Sequence, residues 1–117
     1  MTTRKPKKND EVPRGALRVL LLTLLASRPS HGYALVAALE KKTGGAFALR
    51  EGTLYPALHE LELERVISAE WENSPDGRRR RVYSITPAGR KELKAARRQW
   101  IATASALLAA LGEPEPA

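Results

Sequence analysis

The chain has 117 residues and a mass of 12.9 kDa, room for one small domain and an attached helix but not for a large enclosed catalytic cavity. Hydrophobic residues at 43% place it among globular chains, and the absence of cysteine excludes disulfide frameworks, thiolate catalysis and cysteine-ligated zinc. Twenty lysines and arginines against 13 acids give a net charge of +7, and the surplus is clustered in the first 14 residues, the four arginines at 78–81 and the C-terminal third.

Between positions 15 and 75 the balance is close to neutral, six bases against seven acids. Clustering of that kind suits a polyanion partner better than an evenly solvated surface.

Residues 1–12, with Arg4, Lys5, Lys7 and Lys8, lack apolar periodicity and read as a flexible basic arm. No apolar segment with a cleavage site follows directly, and the longest apolar stretch, 19–22 with 24–26, is too short to span a bilayer. The expectation is a cytoplasmic chain without a membrane partner. Pro13 suits a first helical turn, and Leu17, Leu20, Leu21, Leu24 and Leu25 recur at helical spacing, so a first helix should stop near Ser27, before Arg28-Pro29. Ser30 is a natural N-cap for a second helix over 31–42, with Leu35, Val36 and Leu39 inward and Gly44-Gly45 turning the chain at its end.

A third helix carries Leu54, Ala57, Leu58 and Leu61 on one face. Its start has two readings. If Thr53 caps it, Pro56 falls in the first turn and forfeits no hydrogen bond; if it starts near Glu51, Pro56 removes one. Two extended segments follow, 66–71 and 81–85, around the turn-rich stretch Asn73-Ser74-Pro75-Asp76-Gly77. They form a β-hairpin whose tip and returning strand carry the arginines 78–81. Thr86-Pro87 opens a last helix of roughly 35 Å, ending near Leu111 before Gly112. Residues 113–117 are a Pro/Glu tail, read as disordered.

Three helices, a hairpin and a long helix make a mainly α chain with a two-stranded β wing, the winged helix-turn-helix plan. The division expected is a basic arm over 1–12, a winged-helix DNA-binding domain over 13–86, a dimerisation helix over 87–112 and a tail over 113–117.

Three strings carry a closer likeness. Leu20-Leu21-Leu22 followed by Ser30-His31-Gly32-Tyr33-Ala34-Leu35, then Glu51-Gly52-Thr53-Leu54-Tyr55-Pro56-Ala57-Leu58 with Leu61-Glu62, then Gly77-Arg78 with Tyr83-Ser84-Ile85-Thr86-Pro87-Ala88-Gly89, together resemble the signatures of PadR-type transcriptional regulators. The likeness runs in order from about Gly15 to Gly89, and the single terminal helix resembles the short branch of that family. Two positions depart from it. Arg65 stands where the family usually has glycine after the recognition helix, and Arg50 where many members have a polar N-cap.

On chemistry alone, Arg78, Arg79 and Arg80 are the cations best placed for phosphate or minor-groove contact, with Arg81 facing back and a merely solvated tip as the alternative. The third helix offers Arg50, Thr53, Tyr55 and Pro56 at its start, whereas Glu60, Glu62 and Glu64 would repel phosphate further on. Base contact is therefore expected at its N-terminal end, where the helix dipole favours an anion. The resemblance implies that Thr53 and Tyr55 face DNA and that His31 and Tyr33 lie near its backbone. Half-buried packing is the other reading of Tyr55, a core position the favoured one for Tyr33, and a core cover that for Trp71.

The last helix bears a heptad-like seam of Leu93, Ala96, Trp100, Ala104, Leu107 and Leu111, with Arg90, Lys91, Lys94, Arg97 and Arg98 around its first half. A three-helix body cannot cover such a seam, so a homodimer is expected, with two recognition helices about 34 Å apart on double-stranded DNA. In multidrug-sensing PadR-type regulators the position matching Trp100 helps hold a flat aromatic ligand between symmetry mates. The resemblance thus implies a small planar or aromatic effector, against the plainer reading of dimer packing.

Catalysis is not expected. His31 and His59 lie on different helices, His59 with Glu62 supplies too few ligands for zinc, and no phosphate loop or nucleophile motif is present, so neither metal nor cofactor is implied. The reading is a dimeric repressor of a pseudo-palindromic operator; the alternative is a winged-helix adaptor that binds protein and not DNA.

Overall fold

The computed structural model describes residues 12–13 and 15–112; the expectations for the basic arm, Val12 apart, and for the tail at 113–117 fall outside them. Four helices and three strands follow in the order α1 (Ala16–Ser27), β1 (Ser30–His31), α2 (Gly32–Lys42), α3 (Glu51–Leu63), β2 (Ile67–Asn73), β3 (Arg79–Ile85) and α4 (Pro87–Leu111). The apolar stripes of the first three helices converge. Leu21, Leu22 and Leu25 from α1, Leu35 and Leu39 from α2, and Leu54 and Leu58 from α3 are wholly buried, and Ile67 of β2 closes the cluster. Each such side chain contributes about 1.5–3 kcal/mol by leaving water, which fixes the three helices as one body.

The wing departs from the two strands expected. The sheet has three, in the order β1-β3-β2 and antiparallel throughout, with Ser30 opposite Tyr83 and His31 opposite Val82. Two residues are too few to show alternation, so no local pattern announces β1; it forms because the outer edge of β3 needs hydrogen-bond partners. Ser30 is consequently part of a strand and not a cap. His31 takes that role, its Nδ1 accepting the Ala34 N–H at 3.4 Å, and α2 begins at Gly32. The paired strands also run two residues further at the hairpin end than the apolar pattern indicated, so Arg79 and Arg80 belong to β3 and only Arg78 remains at the tip.

The start of α3 is decided in favour of Glu51. Arg50 stands at the N-cap without a side-chain capping bond, and Pro56 lies inside the helix, with no N–H to give the carbonyl four residues back. At its far end the Arg65 N–H donates to the Glu62 carbonyl at 3.0 Å and the Val66 N–H to the Leu61 carbonyl at 3.2 Å, the paired bonds of a Schellman cap. Such a cap places one residue in the left-handed region. Gly44 fills the place after α2 with φ 62°, but after α3 it is Arg65, at φ 61°. A side chain there costs about 1–2 kcal/mol. Arg65→Gly is accordingly expected to stabilise the fold by about 1 kcal/mol and to raise the thermal midpoint by roughly 4 °C. Circular-dichroism melting checks this; an unchanged or lowered midpoint would contradict strain at Arg65.

Two devices fasten α4 to the body. Thr86 caps it, its hydroxyl accepting the Gly89 N–H at 3.1 Å while donating to the Arg65 carbonyl at 2.8 Å. Arg18 of α1 donates to both oxygens of Glu64 (2.8 and 2.9 Å) and to Glu92 of α4 (2.8 Å to Oε1), tying three helices at one point. Its hydrogen bonds to Glu92 and then to Glu64 hold the guanidinium charged well above its ordinary range, and the bond from Arg18 holds the Glu64 carboxyl below its own. Beyond this anchorage α4 leaves the body. Leu93 is buried, Ala96 and Trp100 are half-buried, and every residue from 101 to 112 is exposed, Leu111 at 80%.

Candidate nucleic-acid interface

The sheet register sorts the wing by face. Because side chains alternate along a strand, Trp71 shares a face with Arg81 directly opposite and with Arg79 diagonally, while Glu72 faces Arg80 on the other side. Arg80 donates to Glu72 at 3.2 Å across the strands. Arg81 donates from both terminal nitrogens to Glu62 of α3, at 3.1 and 2.8 Å, and so faces back toward the helices. Arg78 sits at the tip with its side chain 88% exposed and Asp76 4.0 Å away. The tip itself is set by Asp76, which accepts from the Ser74 hydroxyl and from the Arg78 N–H; these bonds hold its carboxyl below the ordinary range. Arg79 is exposed, its guanidinium 5.2 Å from the centre of the Trp71 ring.

The exposed start of α3 lies beside this face. Arg50, Thr53, Tyr55 and Pro56 are all exposed, and His59, one turn on from Tyr55, continues the same side. Tyr55 leans on the start of α2, where a Cβ added to Gly32 would come within 2.5 Å of its hydroxyl oxygen, so the glycine between His31 and Tyr33 is the space into which that ring fits. Tyr55 is thus both packed and, at 43%, exposed. His31, Tyr33, Tyr55, Trp71, Arg79, Arg80 and Arg81 border an open groove of about 420 Å³ between α2, α3 and the sheet.

Two aromatic side chains differ from expectation. Tyr33 is 76% exposed, because it lies nearly opposite the inward pair Leu35 and Leu39 on α2. Trp71 is 58% exposed and covers no core. It follows Ile67 and Ala69 on the inner face of β2, but the hairpin at that point has outrun the helices that would pack against it. The acids of α3 differ as well. Glu62 and Glu64 are spent on Arg81 and Arg18, so only Glu60 of the three keeps its charge without a bonded arginine. Lone sequence positions cannot reveal these pairs, since each partner is remote in the chain.

The residues expected on the dimer seam divide in two. Leu93 and Ala96 pack on the protomer's own body and Trp100 reaches the start of α1, its ring 3.7 Å from where a Gly15 Cβ would sit. Ala104, Leu107 and Leu111 are exposed. Among the described residues no cluster of three acids or histidines could hold a metal ion, and no helix is long and apolar enough to cross a membrane.

A helical trio with an adjoining hairpin, α3 presented beside the wing, defines the winged helix-turn-helix class. Comparison with known proteins narrows it. Residues 21–95 match the transcriptional regulator PadR-like family. The transcriptional regulator Rv3488 of Mycobacterium tuberculosis is 40% identical over 88 residues, 75% of this chain and 78% of its own. A transcriptional regulator from Clostridium thermocellum superposes with a TM-score of 0.73 at 31% identity, covering 80% of this chain and 91% of that one. A PadR-like transcriptional regulator from Bacillus cereus superposes at 0.74 and 27% identity, covering 86% and 96%. The chain belongs to the PadR-like family of transcriptional regulators, as its three signatures implied.

Proposed function

We propose that the protein is a DNA-binding repressor that acts as a homodimer on a pseudo-palindromic operator. The observation that carries this reading is the distribution of charge over the start of α3 and the wing. Arg79 lines the groove beside Tyr55, and Arg50, Thr53 and Arg78 are exposed at the start of α3 and the hairpin tip, whereas Glu62, Glu64 and Glu72, which would repel phosphate, are each bonded to an arginine. In this reading the start of α3 enters the major groove and the wing lies on the adjoining backbone or minor groove, with His31 close to a phosphate. Two copies join through α4, which leaves Ala104, Leu107 and Leu111 of each against the other. A planar aromatic effector held at the paired Trp100 rings would shift the two α4 helices and release the operator. The indole stands half-buried where α4 parts from the body, its ring beside Gly15 of the same chain.

The test is the salt dependence of duplex binding, using DNA from upstream of the protein's own gene. Replacing Arg78, Arg79 and Arg80 together by alanine is expected to weaken binding and to flatten the slope of log K against log salt by about one for each phosphate no longer neutralised. An unchanged slope would remove the wing from the interface. Salt-insensitive or absent duplex binding by the parent protein would favour the adaptor that binds protein alone.

A further inference from the structure

The four arginines of the wing are adjacent in sequence and unlike in setting. Arg80 is matched by Glu72 across the sheet, and Arg81 is gripped at both nitrogens by Glu62. Arg78 projects from the tip, with Asp76 opposing its charge and no surface to lie on. Arg79, by contrast, is exposed and rests on an aromatic face. That face is held in turn. Arg81, fixed to α3 through Glu62, lies 5.7 Å from the centre of the same Trp71 ring, so the indole carries one arginine fixed to the helix and a second that is exposed. Glu62, Arg81, Trp71 and Arg79 therefore form a continuous stack leading from α3 to the wing.

We infer that Arg79 is the wing cation that reads the minor groove, selecting narrow, A·T-rich flanks of a duplex, and that Trp71 is the residue that positions it. A narrow A·T-rich minor groove concentrates negative potential and attracts an inserted guanidinium. An arginine already laid on a ring loses less freedom on insertion than one at a bare tip, and its charge remains available because the ring attracts it without neutralising it. The stack also sets how far Arg79 stands from α3, so groove width in the flank and contacts at the start of α3 must be met at one spacing. Arg78 and Arg80 then supply phosphate attraction without regard to sequence. This inference rests on the DNA-binding reading above and goes beyond it by dividing the wing into one reader, its support and two general cations.

Fluorescence anisotropy of the intact chain on two duplexes of about 30 base pairs tests it. Both share a centre from upstream of the protein's own gene; one has A·T tracts in its flanks and the other G·C steps. The parent is expected to prefer the A·T-flanked duplex by about tenfold, and Trp71→Ala to cut that preference to about twofold or less while changing the salt slope by less than one. Trp71→Phe, which keeps a ring, should retain most of the preference, and Arg78→Ala should lower the slope by about one and leave the preference intact. Trp71 is more than half exposed, so its removal should spare the fold; if melting shows otherwise, Arg79→Lys carries the test, keeping the charge while losing the planar stack. Undiminished preference in Trp71→Ala, or in Arg79→Lys, would overturn the inference, as would a parent that binds both duplexes equally with a normal salt slope; in these cases the DNA-binding reading stands. A parent with no salt-sensitive duplex binding would overturn both.

Discussion

Leu107→Glu combined with Leu111→Glu is expected to convert the protein to a monomer and to lower operator affinity by about 10²–10⁴-fold, the gain that joining two binding modules ordinarily supplies. Leu107 is 58% and Leu111 80% exposed in the single chain, with Leu108 at 68% beside them, on a part of α4 that no other described element covers. Each leucine buried between two copies contributes about 1.5–3 kcal/mol, and a glutamate in its place both forfeits this and sets like charges against each other. The protomer itself should be spared, since glutamate is a good helix former and neither side chain belongs to the core. Light scattering after size exclusion, with circular dichroism on the same samples, separates the outcomes. A variant that stays dimeric would place the dimer contact elsewhere; one that becomes monomeric yet binds with full affinity would detach DNA binding from dimerisation.

Gly89→Ala should have the largest effect on stability, a loss of about 3 kcal/mol, with a thermal midpoint lowered by roughly 10 °C or more. An added Cβ would stand 2.1 Å from the Val66 carbonyl oxygen and 2.7 Å from Ile85 Cγ1. The first neighbour is backbone, and it cannot retreat freely because that same oxygen accepts the Thr86 N–H at 3.1 Å. The methyl group must therefore pry the start of α4 from the turn between α3 and β2, taking the Thr86 cap and the Arg18–Glu92 contact with it. Gly32 offers a contrast. Its added methyl would meet the far end of the Tyr55 side chain, which can swing aside. Near-parent melting of Gly89→Ala would mean that α4 is not seated as tightly as this contact requires.

Helical periodicity and end signals make α2, α4 and the end of α1 readable almost to the residue, since the stripes, the glycines after α2 and α4, and the Thr86-Pro87 start are all local; α1 itself begins at Ala16 behind a Gly15 N-cap, and Pro13, expected in its first turn, lies outside it. What escaped was set by distant partners. β1 exists only because β3 lies beside it, and His31 caps α2 only once Ser30 has been drawn into the sheet. The start of α3 stays open because Pro56 is compatible with either beginning; the helix takes the earlier one, with the Leu54 N–H bonded to the Arg50 carbonyl. The arginine run was legible as charge but not as four roles. Those depend on the register that opposes Trp71 to Arg81 and Glu72 to Arg80, which the sequence pattern leaves unfixed until the length of the turn is known. Trp71 and Tyr33 depart from one expectation, that a large aromatic in a small domain buries itself: Trp71 sits where the hairpin has outrun the helices, and Tyr33 on the face of α2 turned away from the core.

Analytical ultracentrifugation of the intact chain, alone and with a fluorescent duplex from upstream of its own gene, tests the pairing of two copies on one DNA most directly. At micromolar concentration the protein should sediment as a species of twice 12.9 kDa, and the duplex should take up two chains together. A 12.9 kDa species at that concentration, or a duplex saturated by a single chain, would contradict it.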